Sequence, residues 1–200
     1  MSEDTAKHDA VMFPYFWALG MFVHEFAETE AYVKLLLRVE ANLPREVEGV
    51  LFSEVALARA IMNVRSIRSE KNALVDVDLE RALTQLDLIA KFRNSVIHHG
   101  SQITKDEIIS SNRIITKKSK PKTSYKSSHD ILCEMICDLK VIRYGIMSYI
   151  YKQCVVIDDP SLDEHSIALM QSTQSAAGAP WHYKPPQNPQ AHRRREKKPK

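Results

Sequence analysis

The sequence predicts an all-α fold: a bundle of four to five long helices, with a short hairpin or loop insertion after helix three and a disordered basic C-terminal tail. Three observations carry this reading. Apolar residues recur at three- and four-residue intervals in four long stretches. The breaks between them are short and hold Asn, Pro or Gly. Two hundred residues with 44% hydrophobic content are enough for one core. The bundle is assigned to residues 1–158 and a proline-rich basic tail to 159–200.

The first helix is expected from Pro14, a residue suited to a first turn, with Tyr15, Leu19, Phe22, Phe26, Val33 and Leu37 on its inner face. Asn42, Leu43 and Pro44 end that pattern. Val47, Leu51, Ala58, Ile61 and Met62 restart it in a second helix that closes near Arg68 to Asn72. A third spans about Asp76 to His99, with Gly100 placed as its C-cap. Ile131, Leu132, Met135, Leu139, Ile142, Ile146 and Ile150 mark the fourth. Four amphipathic helices with short links imply a bundle. Between the last two, residues 101–128 are rich in Lys, Ser and Thr. They include ITKDEIISSNRIIT, whose β-branched residues suit a short hairpin or one helical turn. Past Asp158 the chain is polar, and AAGAPWHYKPPQNPQAHRRREKKPK has too few apolar residues to order itself.

Charge is unevenly spread. The balance is −4 over residues 1–99, +5 over 100–128, −4 over 129–180 and +6 over 181–200, together the net +3. One loop and one tail thus carry the positive charge and can attract a polyanion. The three cysteines, Cys133, Cys137 and Cys154, are odd in number, and no secretory signal precedes them, which argues against a disulfide framework. The apolar run from Val11 to Val23 is too short to span a bilayer, and the acidic start MSEDTAKHD lacks the basic end of a signal peptide. A cytoplasmic location with no membrane partner is expected. There is no glycine-rich phosphate loop and no internal repeat.

The stretch KFRNSVIHHGSQ, Lys91 to Gln102, departs from the apolar pattern. On a helical wheel, Leu79, Ala82, Leu83, Leu86, Ile89, Ala90, Val96 and Ile97 fall within roughly 80° of Arg93. A guanidinium cannot shed its proton, so in such a seam it is either paired or open to water. Glu30, about 40° from the centre of the first helix's stripe, and Glu54, in the stripe of the second, are its candidate carboxylate partners. Asn94 and His98 are four apart and share a helix face, so the amide can orient the imidazole. Arg93 and His98 lie about 140° apart, so they converge on one ligand more readily if a dimer partner supplies a second copy of the helix. The structural alternative stands beside this: histidines favour helix C-termini, and an arginine in a seam can form an ion pair.

Arg93, Asn94, three residues and then His98 resemble the RNxxxH form of the Rx4-6H motif of the HEPN superfamily. The loose motif is expected by chance about 1.4 times in this composition, and the form with asparagine about 0.04 times. The resemblance covers roughly residues 10–157. It implies a helical bundle acting as a metal-independent endoribonuclease, a toxin or defence effector with motifs from two protomers lining one cleft. In that scheme the RNA's 2′-OH attacks the adjacent phosphate, leaving a 2′,3′-cyclic phosphate and a 5′-OH, with no cofactor. Arg93, Asn94 and His98 would be catalytic, and His99 would support them. Histidine titrates near neutrality and can move the proton, while arginine can stabilise charge on phosphoryl oxygens. Lys117 and Lys118 would hold the RNA backbone. Expected partners are RNA, a second copy, and an antitoxin-like or other regulatory protein. The alternative within the same superfamily is a catalytically silent binding or dimerisation module.

Two other groupings carry less. His129, Cys133 and Cys137 recur every fourth residue, but no fourth ligand is evident, and no metal is expected. His24, Glu25 and Glu28 lack the second histidine of a zinc-protease helix.

Overall fold

The computed structural model describes residues 3–99, 101–103, 108–111, 124–157 and 180–185. It is a helical bundle of α1 (Glu3–Glu40), a 3-10 turn (Arg45–Val47), α2 (Glu48–Phe52), α3 (Leu57–Glu70), α4 (Val77–His99) and α5 (His129–Ile157). None of these helices is long and apolar enough to cross a membrane among the described residues.

Local chemistry sets most of the boundaries. α1 and α3 end on Asn42 and Asn72, both at positive φ of 52° and 50°. Asn tolerates that left-handed conformation better than most residues. Leu43 N–H then returns to Arg38 O at 3.1 Å, and Ala73 N–H to Arg68 O at 3.0 Å, closing each helix end. Asp76 Oδ1 caps α4 by accepting from Leu79 N–H at 2.9 Å, and Ser128 Oγ caps α5 through Ile131 N–H at 3.2 Å.

α5 packs along α1 and against α4, and α3 packs on α1 while reaching α5 through Arg68 and Tyr149 and α4 through Arg65 and Glu80. Phe22, Leu36, Leu83, Leu86, Ile89, Leu132, Met135, Leu139 and Ile142 are fully buried between them.

The structure differs from the sequence reading in four places. α1 starts at Glu3 and runs through Pro14, so this proline is inside the helix and not in its first turn. Glu3, Ala6, Lys7 and Ala10 among the preceding residues are good helix formers, and the helix passes a proline that costs it an N–H donor. The second predicted helix is broken: the chain turns at Ser53–Ala56, and Lys34 Nζ donates to Ser53 O at 3.3 Å across that turn. The break lets Phe52 and Leu57 both reach the core. The inner face of α3 is therefore Leu57, Ala60, Ile61 and Val64, while Ala58 and Met62 face out.

The insertion after α4 is a sheet of three short antiparallel strands, β1 (Ser101–Ile103), β2 (Ile108–Ser111) and β3 (Ser124–Lys126), in the order β1-β2-β3. Ile103 pairs with Ile108, and Ile109 with Lys126. This is the hairpin of the two expected alternatives, widened by one strand. Gly100 lies outside the described residues.

The tail is the fourth difference, because residues 180–185 are not detached. Tyr183 is buried and Trp181 half-buried against the bundle. Composition underestimated this segment because its anchoring is polar: a carboxylate on α5 holds its backbone.

Candidate functional site

Arg93 projects from the last third of α4, where the buried face of the helix changes. Leu79, Ala82, Leu83, Leu86 and Ile89 are buried, but further along the buried residues are Phe92, Ser95 and Val96, and Ile97 is 42% exposed. The apolar stripe has rotated away from Arg93, which is half-buried and not sealed in the seam. Part of the cause is Tyr183, whose ring packs edge-on against Phe92 at 6.1 Å and covers a flank the wheel placed outside the stripe.

Two contacts hold the guanidinium. Its carbon lies 5.4 Å from the centroid of the Phe26 ring on α1, within cation–π range. Nη1 donates to Asn94 Oδ1 at 3.1 Å. Phe26 is itself fixed by an aromatic chain in which Phe22 lies 6.2 Å from Phe26 and 6.0 Å from Phe92, the second contact being edge-to-face.

Neither expected carboxylate reaches Arg93. Glu30 pairs with Lys34 one turn along α1, at 3.5 Å. Glu54 is exposed in the turn after α2, so the helical stripe in which it was placed does not exist. Among the described residues, no ion pair involves Arg93.

The α4 backbone runs through His98 and His99, so the spacing from Arg93 to His98 falls within one helix. The side chains of His98 and His99, and the whole of Lys117 and Lys118, lie outside what the structure describes. The geometry thus places Arg93 over Phe26 and within a hydrogen bond of Asn94. Sequence reading treated Phe26 only as core; the signal for its second role was its place at the centre of the α1 stripe.

Three further polar clusters are buried between helices. At one end, Glu40 Oε1 accepts from Arg68 Nη1 at 2.9 Å and from Tyr149 OH at 2.6 Å. Arg68 also bonds Tyr149 OH and the carbonyl of Leu74, and Lys71 Nζ donates to Glu40 O. Midway, buried Glu25 faces Arg143 at 2.9 Å and Lys140 at 3.7 Å on α5. Glu25 is thus an interhelical partner. The third cluster surrounds Asp138 and the tail.

His129 and Cys133 are near neighbours, with Sγ 3.6 Å from Nε2, while Cys137 is exposed. Burial, then Cys137 and Asp130, push the Cys133 thiol above its ordinary value. No group of three possible metal ligands is present among the described residues.

No family model matches the chain, and neither a curated protein nor a solved structure matches it.

Proposed function

We propose that the chain is a metal-independent endoribonuclease of the HEPN kind, acting as a homodimer, with Arg93 and His98 as its catalytic groups. The observation that carries this reading is the state of Arg93. It is half-buried, oriented by a ring and an amide, and free of any carboxylate partner among the described residues. A guanidinium held by a π-face and one acceptor keeps most of its five N–H donors for a ligand, and their planar fork matches a phosphate. In the reaction the 2′-oxygen bonds to phosphorus, its proton passes to a base, and the P–O5′ bond breaks. The departing 5′-oxygen takes a proton. His98 suits the proton transfers, and Arg93 suits the charge on the non-bridging oxygens.

A surface on α1 supports the homodimer. Phe13, Phe16 and Trp17 are 75%, 55% and 57% exposed, and Val23 continues their face to within a turn of Phe26. At about 150–250 Å² per aromatic side chain, the exposed parts of the three rings amount to roughly half of the about 800 Å² per partner that a standard interface buries.

The test is cleavage of structured RNA in EDTA by wild type, Arg93→Ala and His98→Ala, with the product ends mapped. Loss of cyclic-phosphate products by about 100-fold or more in folded variants is expected. Equal cleavage by all three proteins would sink the proposal, and binding without cleavage by wild type would point to the silent module. Light scattering on Trp17→Glu should show a dimer turned monomer.

A further inference from the structure

The third buried cluster has the chemistry of a receptor and its ligand. Asp138, in the middle of α5, is completely buried, and a buried carboxylate needs donors on both oxygens. The bundle supplies one of them: Gln85 Nε2 on α4, 2.8 Å from Oδ2. The others come from a segment 44 and 45 residues further on. Tyr183 N–H donates to Oδ2 at 3.0 Å, His182 N–H to Oδ1 at 2.9 Å, and His182 Nδ1 lies 3.1 Å from Oδ1. Gln85 Nε2 also reaches Tyr183 O at 2.9 Å, so one amide reads both the carboxylate and the segment.

The flanking rings fit the same site. Tyr183 packs on Phe92 at 6.1 Å and Trp181 lies under the Arg81 guanidinium at 5.7 Å. On either side, Pro180 and Lys184 are exposed. The segment belongs to no helix or strand; a handful of side-chain and backbone contacts attach it.

We propose that this cleft between α4 and α5 is a peptide-binding site, whose ligand is the chain's own Trp181–Tyr183 segment. Here it is filled in cis, and the same contacts can accept the segment of a second copy. Recognition combines two consecutive backbone N–H groups on a buried carboxylate with an aromatic residue on either side of the histidine. The tether permits exchange. Asp138 lies about 28 Å back along α5 from Ile157, while residues 158–179 can span up to about 70 Å when extended. The covalent link is therefore long enough for the segment to leave its site and for another copy to enter. This inference does not depend on the ribonuclease reading.

The experiment uses the full chain carrying Trp181→Ala and Tyr183→Ala, which empties the site, and a fluorescent peptide of residues 178–186, GAPWHYKPP. Saturable binding to this variant is expected at least tenfold tighter than to wild type, whose own segment competes. Adding Asp138→Asn should weaken it at least tenfold. No binding to the emptied variant, or equal binding with and without Asp138→Asn, overturns the proposal. Should the emptied variant not fold, hydrogen exchange on wild type decides. The amides of His182 and Tyr183 should exchange at least 100-fold faster than those of Ile142 and Ile146, and equal protection would show the segment to be inseparable from the core.

Discussion

Arg68 and Arg93 make a useful pair. Each projects from the last third of its helix, each touches an aromatic ring, and each lies against α1. Arg68 has a 13% exposed side chain and meets a carboxylate, a phenol and a carbonyl, so its donors are spent within the fold. Arg93 meets a ring and its neighbour's amide. A place on a helical wheel therefore does not decide whether an arginine is structural. What decides is the set of acceptors that other helices bring to it.

The comparison breaks most readily at Arg68. Arg68→Ala leaves Glu40 and Tyr149 buried around a missing cation, and a loss of about 3–5 kcal/mol is expected in urea unfolding. A loss below about 1 kcal/mol would mean the closed network is no more structural than the open one. Asp138→Asn should come next, at about 1–3 kcal/mol, because two backbone N–H groups lose a charged acceptor and the new amide places a donor against Gln85. Arg93→Ala should cost about 1 kcal/mol or less, the size of a partly exposed cation–π contact, while it removes activity. A stability loss comparable with that of Arg68→Ala would make Arg93 a structural residue too. Glu30→Gln should be nearly silent in both respects, within about 0.5 kcal/mol, since its partner Lys34 lies one turn along the same helix at 3.5 Å.

Because burial and neighbouring groups push the Cys133 thiol up, its thiolate is scarce at neutral pH. Alkylation at Cys133, followed by mass spectrometry, should be slower at pH 7 than for a free thiol and should accelerate as pH rises. A flat profile would contradict the assignment.

Helix order, the position of α4 and α5 and their polar breaks were legible because periodicity and capping residues are local signals. Asn42, Asn72, Asp76 and Ser128 act within five residues of themselves. The turn at Ser53–Ala56 was not legible. Its cause is the burial of both Phe52 and Leu57, which depends on where α1 lies. The candidate site divides in the same way. Arg93, Asn94 and His98 stood out as polar residues at helical spacing, whereas the ring under Arg93 belongs to another helix. Glu30 and Glu54 illustrate the limit: a carboxylate on a stripe is only eligible, and here Lys34 takes one while the chain turns the other outward.

A helical bundle, an arginine out of keeping with its apolar surroundings and a basic tail could all be read from the chain, because each follows from composition and spacing along one segment. That this arginine is held by a ring and an amide, with no carboxylate among the described residues, and that Trp-His-Tyr returns to a buried aspartate, came from three-dimensional packing alone. Both depend on atoms contributed by elements distant in sequence, and hydrogen bonds and ring contacts act only over a few ångströms of space.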